Sequence, residues 1–369
     1  MSCSCFGASA LNRKDNGGAD SGDFEGHRLG NIKTFSYKQL RTATDYFHPR
    51  NKIGRGGYGT VYKGILDGIE VAVKTLSAQS NQGVREFLTE IDIITNVRHT
   101  NLVQLIGCCV QGTNRILVYE FLENKSLDTA LLGSQVKDTK LDWERRSAIC
   151  KGTARGLAYL HEEVVPPIVH RDIKASNILL DKDFIPKIGD FGLAKLFPDN
   201  ISHISTRIAG TTGYLAPEYV LGGQLTKKAD VYSFGVLILE IVSGRSSGKA
   251  NLATGTQKLL IEWAWQLYEE DRLSEMVDPA LEGCPEEELA RYIKIAFFCT
   301  QATASRRPTM SQVVDMLAKN HTLNEKELVA PGFSQDTTTR SSTTKKIPST
   351  STSTQMSSVP LSVTQLIPR

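Results

Sequence analysis

His170-Arg171-Asp172-Ile173-Lys174-Ala175-Ser176-Asn177, followed by Asp190-Phe191-Gly192, is the stretch that decides how the rest of the chain is read. Asp172 can accept a proton from an attacking hydroxyl, and Lys174 can balance charge on a phosphate in flight. Asn177 and Asp190 are hard oxygen donors of the kind Mg²⁺ takes. Together these groups serve the transfer of a phosphoryl group to a hydroxyl. Asp-Phe-Gly alone occurs by chance in many turns, so its meaning depends on what surrounds it.

Upstream lie Ile53-Gly54-Arg55-Gly56-Gly57-Tyr58-Gly59-Thr60-Val61 and Val71-Ala72-Val73-Lys74, and downstream lies Ala216-Pro217-Glu218. Their order and spacing resemble the signature set of protein kinases. A glycine-rich turn between two strands lets backbone amides approach the β- and γ-phosphates, because a Cβ at Gly54, Gly56 or Gly59 would hold the chain away. Lys74, on the strand that follows, can bind the α- and β-phosphates. Glu90 shares a helical stripe with Phe87 and Ile94, and a carboxylate on that inward face needs a partner, for which Lys74 is the evident choice.

Size and composition set the bounds. The 369 residues suffice for two lobes with separate cores and unstructured flanks. A net charge of +3 from nearly balanced acids and bases gives no reason to expect nucleic acid as a partner. Seven cysteines, without the spacing of a zinc knuckle, fit a reducing compartment. The longest apolar run, Val231 to Val242, is interrupted by Ser233 and Glu240 and falls short of the ~20 residues that span a bilayer. The N-terminus lacks the regions of a signal peptide, and Ser2 does not fit the myristoylation pattern. Cys3 and Cys5, beside Phe6, are either S-acylation sites or idle thiols.

Residues 1–33 are rich in Gly, Ser, Asp and Asn and read as a flexible leader, and 321–369, with Ser and Thr crowded from Ser334 onward, as a disordered tail. Between them, 34–320 is expected to fold. Asn51 to Gly54, Gly59 to Ile65 and Glu70 to Leu76 read as strands of an antiparallel sheet, and Val84, Phe87, Leu88 and Ile91 recur at helical spacing. Ile116 to Leu122 reads as a buried strand. Beyond Glu120 the pattern turns helical, with Asp142 capping a helix that keeps an apolar face through Ile149, Leu157 and Leu160 to His161. The expectation is an α+β, bilobal protein-kinase fold: a small antiparallel-sheet lobe with one helix to about residue 119, and a larger, mainly helical lobe from about 123.

The kinase resemblance implies ATP and Mg²⁺, or Mn²⁺, as cofactors. It places the nucleotide against Ile53, Gly54, Arg55, Gly56, Gly57, Tyr58, Gly59, Val61, Ala72 and Lys74. Backbone groups of Glu120 and Leu122 would bond adenine, with Tyr119 closing the pocket behind it. Asp172, Lys174, Lys74 and Glu90 are the catalytic set, and Asn177 and Asp190 hold the metal. Asp172-x-Lys174-x-x-Asn177 favours serine and threonine acceptors over tyrosine. Arg171 carries a fork suited to a phosphate. The loop from Asp190 to Glu218 offers Ser202, Ser205, Thr206, Thr211 and Thr212 as phosphorylation sites, Ser205 and Thr206 foremost. Thr211 is better placed to support Asp172 and Lys174. Asp230 is expected to cap an apolar helix and hold the catalytic loop, and Glu218 and Arg307 to form a buried ion pair.

Phe35-Ser36-Tyr37-Lys38-Gln39-Leu40-Arg41-Thr42-Ala43-Thr44, the run from Leu141-Asp142-Trp143 to Leu160-His161-Glu162, and Gly210-Thr211-Thr212-Gly213-Tyr214-Leu215 look like plant receptor-like kinases. The chain most resembles the kinase part of leucine-rich-repeat receptors and the cold-responsive protein kinase type. This implies a receptor-like cytoplasmic kinase that acts on protein substrates below a membrane receptor kinase, in the cytoplasm or at the inner face of the plasma membrane. Two other readings stay open: a pseudokinase scaffold, against which Lys74, Asp172 and Asp190 are all intact, and a dual-specificity kinase.

Overall fold

Val71 and Val73 alternate with Ala72 and Lys74 along one strand; the valines are fully buried on one face, and the other face turns toward the cleft. This alternation sets the small lobe. Its strands are β1 (Lys33–Thr34), β2 (Lys52–Arg55), β3 (Gly59–Leu66), β4 (Ile69–Leu76), β5 (Leu105–Gln111) and β6 (Asn114–Glu120), in the order β1-β5-β6-β4-β3-β2. The structure, a computed structural model, describes residues 32–56, 59–77, 81–95, 97–133, 141–198, 201–247, 259–281, 283–318 and 323–332. Gly57, Tyr58, Cys3 and Cys5 lie outside the described residues.

Strands β2 to β6 pair antiparallel as expected, but β1 pairs parallel with β5, so the sheet is mixed. The small lobe also has two helices rather than one, α1 (Tyr37–Ala43) and α2 (Asn81–Ile94). Ser36 and Gln39 start α1 with a reciprocal capping box, and Phe35 and Leu40 seal the outer core over Val71, Val73 and Val118. A helix of 7 residues carries too few turns to show a period in the sequence. Helix α2 presents Phe87, Glu90, Ile91 and Ile94 to the interior.

Gly59 opens β3 where a Cβ would stand 2.3 Å from the Thr75 carbonyl oxygen. Sheet packing therefore excludes a side chain at Gly59, which is a reason other than phosphate approach. Gly59→Ala is expected to destabilise the small lobe by about 1–3 kcal/mol. A thermal midpoint equal to that of the unmutated chain would contradict this.

The large lobe holds α3 (Leu127–Leu132), α4 (Trp143–Ala158), α5 (Pro217–Gly222), α6 (Lys227–Ser243), α7 (Leu260–Glu269), α8 (Glu286–Cys299) and α9 (Met310–Ala318). Six short strands pair within it: β7 (Ile168–Val169) with β10 (Lys195–Leu196), β8 (Ile178–Leu180) with β9 (Pro186–Ile188), and β11 (Ile204–Ser205) with β12 (Gln224–Leu225). Asp142 caps α4 by accepting from the Arg145 amide at 2.9 Å, as its sequence position implies. Helix α4 then widens into a π turn over Tyr159–Glu163 that carries His161 inward.

Helix α6 is buried along almost its whole length. Its cap is Thr226, not Asp230: the helix begins a turn before the apolar run, at Lys227 and Lys228, whose charges hide the start. The fold also extends past residue 320. Leu323 to Gly332, which falls in the stretch expected to be a disordered tail, packs on the large lobe: Leu323 and Leu328 rest on the core, Pro331 is buried, and Glu325 pairs with Lys294 at 2.6 Å. Among the described residues, no helix is long and apolar enough to cross a membrane.

Candidate active site

Strand β4 delivers Lys74 and helix α2 delivers Glu90 to one point under the sheet. Lys74 Nζ lies 2.5 Å from Glu90 Oε1 and 2.9 Å from Asp190 Oδ1. Burial alone would push the ammonium down, but the two carboxylates outweigh it and hold Lys74 above the ordinary lysine value. Lys74 pulls the Asp190 carboxyl down to about 2 from its ordinary 3.8. The stability from this ionised carboxylate is complete above the ordinary value and is lost as pH falls through about 2. Burial pushes Glu90 up, opposed by Lys74. The Tyr119 hydroxyl donates to the second oxygen of Glu90, which ties Tyr119 to the Lys74 partner.

The catalytic loop sits between β7 and β8. Asp172 is held from three sides: by Lys174 Nζ at 2.8 Å, by the Thr211 hydroxyl at 2.7 Å, and by Asn177 Nδ2 at 3.0 Å. Lys174 also donates to Thr211 Oγ1 at 2.9 Å. Thr211 thus belongs to the base's surroundings, as its place before Gly213-Tyr214 implies. Arg171 and Asp190 both take positive φ, 72° and 61°, which costs strain in residues other than glycine. Asp230 offsets it from below. One carboxylate oxygen accepts from the His170 amide at 2.7 Å, the other from the Arg171 amide at 2.8 Å, and His161 Nε2 adds a contact at 2.9 Å. Phe191, fully buried, meets the His170 ring edge-on at 4.9 Å, which keeps Asp190 turned toward Lys74.

Helix α6 holds the segment beyond the loop. Its two polar interruptions, Ser233 and Glu240, both grip Tyr214: Ser233 Oγ donates to the Tyr214 carbonyl at 2.7 Å, and the Tyr214 hydroxyl donates to Glu240. Glu240 also accepts from the Ser247 amide at 2.6 Å, while burial pushes its carboxyl up. One turn past Tyr214, Glu218 makes a two-pronged pair with Arg307 at 2.8 Å on each prong, as anticipated, and Arg307 is wholly buried.

Arg171 does not present its fork to a phosphate. Its donors go to the Leu193 carbonyl at 3.0 Å, the Arg207 carbonyl at 2.9 Å and the Tyr219 hydroxyl. Two other cations meet candidate phosphorylation sites: Lys174 at Thr211, and Lys195 of β10, 2.9 Å from Thr206 Oγ1. Burial, and then the nearby charge of Arg171, lowers the Lys195 pKa. The sequence reading passed over Lys195 because a lone lysine in a loop looks solvated; only the fold closes the 11 residues to Thr206. Ser202, Ser205 and Thr212 are exposed. Glu240 and Ser233 were also missed as anchors, although a carboxylate within an apolar run was a readable signal.

Of the nucleotide-binding candidates, Val61, Ala72 and Lys74 lie on the central strands β3 and β4. Ala72 faces Tyr119 across β4 and β6, Val61 faces Lys74 across β3 and β4, and Ile53 of β2 is half exposed. Arg55 closes β2. At the other end, the Glu120 side chain bonds the Gln104 amide at 2.8 Å and Lys187 of β9 at 3.0 Å, which fastens the segment through Leu122 between the lobes.

ATP and a divalent cation fit these residues. A Cβ at Gly56 would meet nothing within 4 Å, and one at Gly54 only ordinary contacts, so the fold itself does not require the bare backbone there. Asn177 Nδ2 donates to both the carbonyl and the carboxylate of Asp172, which turns its amide oxygen away, and Asp190 stays half exposed in spite of its ion pair. Those two oxygens are the hard donor set that Mg²⁺ takes.

A two-lobed scaffold with a lysine-carboxylate pair above and a clamped aspartate below defines a phosphoryl-transfer site. Residues 47–317 match the family model for the protein kinase domain, and the chain belongs to that family. It is 56% identical over 312 residues to cold-responsive protein kinase 1 of Arabidopsis thaliana, covering 84% of this chain and 80% of that protein. Two probable LRR receptor-like serine/threonine-protein kinases of the same plant are 56% and 55% identical over 286 and 285 residues. Those matches cover 77% of this chain but 27% of each receptor-like protein. The chain is a protein serine/threonine kinase.

Proposed function

We propose that the chain transfers the γ-phosphoryl group of ATP to serine and threonine hydroxyls of proteins, and that phosphate on Thr206 sets its activity. The observation that carries the first part is the Asp172 cluster, in which Lys174, Thr211 and Asn177 fix the carboxylate. Asp172 orients the acceptor hydroxyl and takes its proton as the oxygen attacks. Lys174 neutralises charge on the transferred group, and Lys74, kept charged by Glu90, holds the α- and β-phosphates. Asn177 and Asp190 would hold Mg²⁺, which when bound neutralises charge on the phosphate oxygens. Positioning supplies most of the rate.

The second part is supported by the Lys195 ammonium, 2.9 Å from Thr206 Oγ1, with Arg171 donating to the adjoining Arg207 carbonyl. A phosphate there adds about −1.5 to −2 charge beside the Lys195 cation. It would tie β10 to the segment paired with β12. Thr206→Val is expected to cut the activated rate by about tenfold, and Lys195→Met to abolish the gain from Thr206 phosphate. Equal rates for both variants and the phosphorylated parent would discard this regulation.

Similarity to receptor-like kinases supports an upstream enzyme of that class. An active receptor-like kinase is expected to phosphorylate Thr206 on the inactive Asp190→Asn chain, and labelling elsewhere alone would count against it. Acylation of Cys3 and Cys5 would place the chain beside such receptors at the membrane. A membrane fraction unchanged by Cys3→Ser with Cys5→Ser would dismiss that anchor.

A further inference from the structure

Leu323 to Gly332 returns across the large lobe and ends against the joint that holds the activation segment. The Gly332 amide donates to the Thr300 carbonyl at 3.2 Å, Gln301 and Pro331 form a bridge, and the Tyr232 hydroxyl donates to the Gly332 carbonyl. A Cβ on Gly332 would lie 2.7 Å from Pro217 Cγ and 2.8 Å from Ala302 Cα, so the backbone of this strap is wedged between them. Pro217 opens α5 and precedes Glu218, whose partner Arg307 lies 5.0 Å over the ring of the same Tyr232. Arg307 also donates to the carbonyls of Gln301, at 2.8 Å, and Ala302, at 3.3 Å. The strap and the Glu218–Arg307 pair therefore share Tyr232, Gln301 and Ala302, and they meet at Pro217.

We propose that this strap is a third part of the joint and that Gly332 is a positioning residue for the acceptor side of phosphoryl transfer. It holds Pro217 down, and through Leu215 and Ala216 it keeps the wall from Thr211 to Tyr214 in register with Asp172. Among the described residues, none of its contacts reaches the nucleotide side, where Lys74, Glu90 and Asp190 sit. Loosening the strap is thus expected to weaken acceptor binding and leave ATP binding alone, which separates positioning from mere structural support. The inference rests on the reading that the Thr211–Tyr214 wall receives the acceptor.

The test uses the 369-residue chain, a generic serine-containing peptide and ATP with Mg²⁺. Tyr232→Phe removes only the hydroxyl that reaches Gly332, and Gly332→Ala forces the strap away from Pro217. Both variants are expected to raise KM for the peptide by about fivefold or more, with KM for ATP within about twofold of the parent. If Gly332→Ala folds poorly, the isosteric Tyr232→Phe alone decides. Unchanged peptide KM in Tyr232→Phe, or an equal rise for peptide and ATP, would overturn the positioning role, even if the thermal midpoint falls. A parent chain that transfers no phosphate would overturn the acceptor reading as well, and an active parent with unaffected variants the strap alone.

Discussion

Replacing Asp172 with Asn is expected to lower kcat by about three orders of magnitude, with KM for ATP nearly unchanged. Proton acceptance is lost, but the geometry suffers too. Lys174, Thr211 and Asn177 all aim donors at the Asp172 carboxylate. An amide there must turn its own NH₂ toward at least one of them, so the side chain swings off the line of attack. The nucleotide groups around Lys74 and Asp190 are untouched, which is why ATP affinity should hold. Steady-state kinetics on a variant shown to be folded by circular dichroism provides the check. A kcat within tenfold of the parent would remove Asp172 from the role of base.

Arg307→Ala is expected to cost about 3–5 kcal/mol of stability, because it strands the Glu218 carboxylate and empties a buried site. The wholly buried guanidinium also donates to the carbonyls of Gln301, Lys228 and Ala302, and these lose their partner together. Urea unfolding measures the loss directly. A cost below about 1 kcal/mol would place the pair among the weak surface bridges instead.

The site was more legible than its supports, for a physical reason. Asp172, Lys174, Asn177 and Asp190 lie within 19 residues of one another, so their spacing is written in the chain. Lys74 and Glu90 could be paired because a charge on an apolar helical face demands a partner. The supports join residues far apart: Lys195 to Thr206 across a loop, Tyr214 to Glu240 across a helix, Gly332 to Pro217 across most of the large lobe. Such contacts leave no period to read. Arg171 shows the limit of reading chemistry from residue type alone. Its fork suits a phosphate, yet the fold commits it to the Leu193 and Arg207 carbonyls. Strand β1, helix α1 and the strap escaped for a third reason: they are short, and what fixes them is packing against the body of the fold rather than internal pattern.

Incubating the purified chain with ATP and Mg²⁺ beside its Asp190→Asn variant, and mapping phosphosites by mass spectrometry, tests the central claim most directly. The account predicts phosphate on serine and threonine residues in the unmutated chain, Thr206 among them, and none in the variant. No incorporation by the unmutated chain, even with a generic acceptor and after priming by an upstream kinase, would contradict it and leave a scaffold that binds without turnover.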